Sequence, residues 1–201
     1  FNIGIGHGVG ASLTTGTSNV LLGALAGDAF TDADFNIAIG KNSLGADTLG
    51  SASVAIGHGA LLTQNFTTAT SVYNVAVGHN AGKLVTTAVF NTLVGGLAGD
   101  ALTTGQENAA FGYLALPGDT LGSHIVAVGS YALQAQNFTT ATDSFNTAVG
   151  YAAGTAVTTG LNNTLIGGQA GDAITAANDN VAVGVGSLTT NTLSSENVAI
   201  G

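Results

Sequence analysis

The fold is decided by a 17-residue stretch that begins at Asn91 and ends at Glu107. It reads Asn-Thr-Leu-Val-Gly-Gly-Leu-Ala-Gly-Asp-Ala-Leu-Thr-Thr-Gly-Gln-Glu. Two short apolar runs are separated by glycine and aspartate, and the second run is followed by turn residues. A helix is disfavoured, because each glycine in a helix interior costs about 1 kcal/mol. The stretch therefore predicts short extended segments joined by turns.

The opening phrase of this stretch, of the general form Asn-x-(Ala/Leu)-(Val/Ile)-Gly, recurs along the whole chain. The glycines that close it are separated by 17, 17, 17 and 21 residues, so a 72-residue super-repeat contains three short coils and one long one. A fixed short period indicates one supersecondary unit that buries its apolar face against its neighbours. We predict an all-β parallel β-solenoid (β-roll) of about 12 coils, with a 21-residue coil in every fourth position. The closing glycines are Gly6, Gly23, Gly40, Gly57, Gly78, Gly95, Gly112, Gly129, Gly150, Gly167, Gly184 and Gly201.

Residues 1–201 form a single repeat array, with super-repeat units at roughly 2–73, 74–145 and 146–201. The chain opens in the middle of a phrase and ends on a closing glycine. Solenoid ends normally carry polar caps. We therefore expect the sequence to be a stretch of a longer fibre.

Apolar residues alternate within each phrase, and alternation places every second residue on one face of a strand. The larger β-branched residues on either side of the central Ala are expected to face inward, and replacing Val77 with Asp is then expected to cost several kcal/mol. The central Ala is expected to face outward and to form lateral contacts with other chains. The predicted inward positions are Val75, Val77, Val181, Val183, Val198 and Ile200.

An asparagine opens almost every phrase, and stacking of the coils places these residues in one column. A side-chain amide both donates and accepts, so stacked Asn residues can bond along the column and close the turns. The alternative is that Asn is used because it tolerates a positive φ angle. Both interpretations are structural. The ladder positions are Asn19, Asn36, Asn74, Asn91, Asn108, Asn146, Asn163, Asn180 and Asn197.

The two 21-residue coils share the segment Gln-Asn-Phe-Thr-Thr-Ala-Thr at positions 64–70 and 136–142. Their four additional residues must leave the stack as a bulge, over which Phe66 or Phe138 is expected to fold. Irregular loops on a regular scaffold often carry recognition. We therefore expect the loops around these two phenylalanines to be surface recognition loops.

Charge restricts the partners of the chain. There are only two lysines and no arginine, and the net charge is −9. Nucleic acid is excluded, because neutralising phosphates requires clustered basic residues. No apolar run reaches the ~18 residues of a membrane helix, so no membrane insertion is expected. Charged residues make up only 6% of the chain, which predicts that its sides are covered by copies of itself.

Chemistry-bearing residues are sparse. Asp28 with Asp47, and Asp100 with Asp119, lie on neighbouring coils and could contribute to a Ca²⁺ site, although solvated turn carboxylates are the favoured interpretation. His58 and His79 are expected to stack without a third ligand, and the absence of cysteine removes thiolate chemistry. No nucleophile, base and carboxylate recur in a pocket-like context. We expect no catalytic activity, no cofactor and no resident metal.

Two segments carry a family resemblance. Ala52-Ser53-Val54-Ala55-Ile56-Gly57 resembles the phrase of trimeric autotransporter adhesin heads, and Asn146-Thr147-Ala148-Val149-Gly150 resembles the repeat of phage tail fibres. The resemblance implies a parallel β-roll that assembles as a trimeric fibre. The 17-residue spacing is longer than that of the adhesin heads and closer to that of the phage fibres.

The expected function is a structural fibre or adhesin shaft of an extracellular appendage, cell surface or virion. The expected partner is the chain itself, as a parallel homotrimer or filament, with any cell-surface glycan or receptor bound through other parts of the protein. The alternative is an ice- or surface-binding β-solenoid that uses arrays of its Thr-Thr pairs.

Overall fold

The computed structural model describes residues 1–201 and contains β-strands, turns and no helix. Twelve three-residue strands form one sheet in which every pairing is parallel, which confirms the predicted β-solenoid. Two further two-residue pairs lie beside the long coils. The strands are Ile3–Ile5 (β1), Val20–Leu22 (β2), Ile37–Ile39 (β3), Gly50–Ser51 (β4), Val54–Ile56 (β5), Thr70–Ser71 (β6), Val75–Val77 (β7), Thr92–Val94 (β8), Ala109–Phe111 (β9), Gly122–Ser123 (β10), Val126–Val128 (β11), Thr142–Asp143 (β12), Thr147–Val149 (β13), Thr164–Ile166 (β14), Val181–Val183 (β15) and Val198–Ile200 (β16).

The register of the sheet follows the sequence metre. Val75 pairs with Thr92, 17 residues later, whereas Val54 pairs with Val75 across the first 21-residue coil. Beside that coil, Gly50 of β4 pairs with Thr70 of β6. Most of the extra residues therefore enter just before β6, and the main sheet continues without a break.

The interior of the solenoid is filled by the central residue of each strand. Ala76 and Leu93 are fully buried, and their counterparts from β2 to β15 are buried too, while the residues on either side are half-buried or exposed. The assignment of Val75, Val77, Val181, Val183, Val198 and Ile200 to the core is therefore wrong, and the Ala-rich face is the inner one.

The reason for this inversion is the asparagine. Alternation puts the phrase-opening residue on the same face as the central one, and Asn91 is buried together with Leu93. The narrow interior therefore takes Ala or Leu beside a column of amides. Larger anchors from the turns, such as Phe30, Leu102 and Leu133, complete the core.

The closing glycines form a column of close backbone contacts. Their φ angles lie between +127° and +143°, a region that L-residues rarely adopt. A Cβ on Gly95 would collide with the carbonyl group of Gly112 in the next coil. The glycine is therefore required twice, by its own backbone conformation and by the neighbouring coil.

Candidate functional site

The most extended surface feature is an apolar face on the outside of the main sheet. It consists of the first and third residues of the twelve three-residue strands, and we call it the Val/Ile face. Its two columns are apolar at every position except Thr92, Thr147 and Thr164, and they contain no charged residue. Leu22, at 42% exposed, and Ile166, at 40%, show how much apolar surface remains open within the array.

Aromatic side chains border this face. The rings of Tyr73 and Phe90, each two residues before the start of its strand, stack with centroids 5.9 Å apart. After the strands, Tyr131 makes edge-on contacts with Tyr113 at 5.7 Å and with Tyr151 at 5.9 Å. These rings extend the apolar outer surface beyond both ends of the strands.

The phrase-opening asparagines form a buried hydrogen-bonded column. Asn91 Oδ1 accepts from the backbone N–H of Asn108, and Asn91 Nδ2 donates to the carbonyl of Gly105, both at 3.0 Å. The positive φ falls on the preceding residue, Phe90, so the φ-tolerance explanation for Asn is wrong. The same Oδ1 contact to the residue 17 positions later is made by Asn19, Asn36, Asn74, Asn108, Asn146, Asn163 and Asn180, and Asn197 ends the column as a donor to Asn180.

The column is maintained through the long coils by a buried carboxylate and a glutamine. Asp47 Oδ1 accepts from the backbone amides of Gly50 and Phe66, both at 3.0 Å, while Asp47 Oδ2 accepts from Gln64 Nε2 at 2.6 Å. Gln64 Oε1 then accepts from Asn74 Nδ2 at 2.9 Å. This network bypasses the position where serine or isoleucine replaces the ladder asparagine. The second long coil repeats it with Asp119, Gln136 and Asn146.

Both buried carboxylates, Asp47 and Asp119, are fully enclosed. Burial raises the pKa of the Asp47 carboxyl above its ordinary value, and hydrogen bonds from Gln64 and the amides of Phe66 and Gly50 oppose part of that rise. The oxygens of both groups are already used by protein donors. The favoured interpretation of Asp47 and Asp119 as solvated turn carboxylates is therefore wrong, because the structure places both in the wall of the coil, where backbone amides bind them.

The remaining acidic candidates are Asp28 and Asp100, which are half-buried. Asp100 Oδ1 is buried without a hydrogen-bond partner. Burial raises the pKa of Asp100, while its own backbone amide and the charge of Lys83, one coil earlier, act in the opposite direction. No group of three or more His, Cys, Asp and Glu side chains is arranged so that it could hold a metal ion. The expected pairs Asp28–Asp47 and Asp100–Asp119 thus do not assemble into a wider set of ligands.

The histidines of adjacent coils do stack. The rings of His58 and His79 are nearly parallel, with centroids 5.3 Å apart. Both side chains are exposed, and they lie in the register predicted from the sequence. The pair contributes a stacked contact along the rod and does not by itself form a ligand set.

The Thr-Thr pairs do not present two open columns of hydroxyl groups. Thr86 Oγ1 donates to the carbonyl of Thr103 at 3.1 Å, and Thr103 Oγ1 donates to Thr120 at 3.0 Å. In the pairs that begin at Thr86, Thr103 and Thr158 the first threonine binds along the rod and only the second is exposed, whereas both threonines are exposed in the pairs at 14–15, 67–68, 139–140 and 189–190. The exposed column is interrupted by Asp32 and by the long coils.

Phe66 and Phe138, which are predicted to fold over the bulges and to mark surface recognition loops, are only 7% and 5% exposed. The physical reason is that their backbone amides bind the buried carboxylates, which draws both residues into the wall of the coil. The exposed part of the first loop is instead the segment 67–69.

The structure contains no helix long and apolar enough to cross a membrane. Comparisons with protein-family models, with curated proteins and with solved structures find no match to this chain.

Proposed function

We propose that this chain is a structural shaft, in which several copies associate through the Val/Ile face to form a rigid extracellular fibre. The observation that carries the proposal is the uncharged surface along twelve stacked strands, which is apolar at all but three threonine positions. Large exposed apolar patches on a soluble chain mark interaction sites. The stacked coils and the buried amide column provide stiffness along the axis.

The size of the face is sufficient for stable association. Eleven intervals of about 4.8 Å give a length of about 50 Å, and each strand with one flanking residue on either side spans about 16 Å. The resulting area of about 800 Å² per chain equals the contribution of one partner to a standard protein interface.

The occupant that fits this face is a second copy of the chain. A partner must present apolar side chains at the same interval along the rod, and the chain itself has that interval in every coil. Neither partner would bury a charge in the strand columns. A parallel arrangement keeps the long coils level with one another.

We propose three chains, which is the number implied by the resemblance to adhesin heads and phage fibres. Each chain has one Val/Ile face, and a closed cyclic arrangement turns all of these faces toward a common axis. The lateral contacts are therefore made by Val and Ile. This differs from the expectation that Ala would make them, because the Ala column lies inside the coil.

Sedimentation equilibrium of the wild-type chain tests the proposal. We expect the mass of three chains at micromolar concentration. The double variant Val77→Lys, Val128→Lys should dissociate to a monomer with an unchanged β-type circular dichroism spectrum. The control Leu84→Lys, Leu193→Lys adds the same charge at exposed residues outside the face and should stay assembled. A wild-type monomer, or equal dissociation of both variants, would contradict the proposal.

A further inference from the structure

The surface of the chain has one cleft, with a volume of about 350 Å³, beside the first long coil. This lies near the lower end of the range of about 300–1,000 Å³ for small-molecule sites. The cleft lies between the segment before β3, the end of β4 and the residues around β6. The residues that determine its chemistry are Asp34, Phe35, Ser51, Ala52, Ser71 and Tyr73.

The second long coil shows why the first one is open. His124 occupies the place that Ala52 has in the first unit, 72 residues earlier. Its ring stacks on Phe145 with centroids 5.1 Å apart, and its nitrogens lie 3.1 Å from Asp143 Oδ1 and 3.4 Å from Glu107 Oε2. In this unit the protein thus fills the equivalent space with a ring of its own. In the first unit, alanine leaves that space free.

The lining of the open cleft carries fewer charged groups than the equivalent region of the second long coil. Phe35 and Ser71 stand where the second unit has Glu107 and Asp143, so two carboxylates are replaced by a ring and a hydroxyl group. Tyr73 replaces Phe145 and is 56% exposed, while Phe35 is 64% exposed. The cleft therefore offers two open aromatic rings and only one carboxylate, and it contains no basic group.

The polar groups of the cleft are suited to hydroxyl-rich ligands. Ser71 is exposed, so its hydroxyl group is open to a ligand. The Ser51 hydroxyl accepts a hydrogen bond from the Asp34 backbone amide at 2.9 Å and still has a proton to donate. Asp34 Oδ1 is engaged by the Thr17 amide at 2.6 Å and hydroxyl at 3.0 Å, which leaves its second oxygen as an acceptor.

From these observations we propose that the cleft binds one ring of a neutral saccharide. The apolar face of a sugar ring would lie against Tyr73, in the way that the His124 ring lies against Phe145. The sugar hydroxyl groups would pair with the hydroxyls of Ser51 and Ser71 and with the free oxygen of Asp34. The lack of any cation disfavours acidic sugars and phosphates. All of these residues belong to a single chain, so the site does not require the proposed fibre, although Tyr73 also borders the Val/Ile face.

Saturation-transfer NMR with the methyl glycosides of glucose, galactose, mannose and N-acetylglucosamine provides the test. We expect transfer to the ring protons of at least one of them. Ala52→His should remove that signal, because it places in the cleft a ring equivalent to that of His124 in the second unit. This variant is compatible with the backbone, since φ is +62° at Ala52 and +59° at His124.

A second variant, Tyr73→Ala, should weaken binding by about tenfold through loss of the stacked ring. The matched control is Tyr151→Ala, which removes an exposed ring at the opposite end of the strands. This variant should bind as the wild type does. Sedimentation of the same variants separates this proposal from that of the fibre, because Ala52→His should not alter assembly. The absence of transfer to all four glycosides, undiminished binding by Ala52→His, or preference for glucuronic acid or tetramethylammonium would overturn it.

Discussion

The side-chain oxygen of Asn91 accepts a hydrogen bond from the backbone amide of Asn108, one full coil further along the rod, at 3.0 Å. The same side chain donates to the carbonyl of Gly105. One amide therefore joins two coils and closes a turn. All the groups involved are buried, so nothing in the solvent can replace it.

Replacing Asn91 with Ala should lower the free energy of unfolding by about 2 to 5 kcal/mol, because two buried backbone groups lose their partners. Urea denaturation followed by circular dichroism measures this change. Asn162→Ala is the matched control, since Asn162 is exposed and binds only Asp179 through its side chain. Equal losses in the two variants would mean that a buried asparagine of the column contributes no more to stability than an exposed one.

The inverted face assignment gives a paired test within one strand. Ala76→Asp should destabilise the chain by several kcal/mol, because a charge enters the core without a partner. Val77→Asp places the same charge on a half-buried outer position and should change monomer stability by about 1 kcal/mol or less. Both are compared by urea denaturation at a dilution where association does not contribute. The reverse order of the two losses would restore the original assignment.

Two adjacent glycines test the close contact between coils. Gly95→Ala should cost about 2 to 5 kcal/mol, because the new methyl group meets the backbone of Gly112 at a φ that alanine disfavours. Gly96→Ala should be nearly neutral, since its nearest contact would be the Tyr113 ring at an ordinary 3.5 Å. Thermal unfolding of both variants measures this difference in stability, and similar melting temperatures would contradict the prediction.

The buried Asp47 carboxyl predicts an unusual dependence of stability on pH. Burial raises its folded-state pKa above the ordinary 3.8, so the folded chain binds this proton more tightly than the unfolded chain does. Stability from this group therefore rises as the pH falls through its raised pKa toward 3.8 and is lost as the pH rises again.

Urea midpoints of the wild type and of Asp47→Asn, measured from neutral pH to pH 4 (about the ordinary aspartate range), isolate this contribution. The wild type should gain stability relative to the variant as the solution is acidified. Other titrating groups affect both proteins equally and cancel in the difference. A constant difference would show that the pKa is the same in the folded and unfolded states, and a difference that falls with acidification would show that the folded state favours the ionised form.

The sequence predicted the coil length, the register and the parallel pairing, because all three follow from the spacing of one phrase. It did not predict which face of the strand is buried. Alternation alone defines two faces without ranking them, and the larger size of Val75 and Val77 favoured the wrong one. The signal that could have decided the matter was Asn74, whose burial as a hydrogen-bonded group fixes Ala76 on the same side.

The long coils were predicted as bulges, but their internal chemistry was not. Gln64 and Gln136 occupy the same place in both units, and the ladder asparagine is missing only there, at Ser53 and Ile125. Together these facts indicate a substitute partner for the column, although the enclosing role of Asp47 depends on backbone amides that no sequence pattern identifies. The cleft at Ala52 depends on the shape of a loop, which the spacing of the repeats does not specify.

The column of closing glycines has a consequence for how such a molecule can change its size. Because each coil is held in contact with the same atoms of the next, a rod of this kind can be lengthened or shortened only by whole coils. One 17-residue step corresponds to about 5 Å, and one 72-residue step to about 19 Å. Adding or removing one whole coil keeps the column of closing glycines in register. The spacing between coils is thus fixed, while the number of coils can vary.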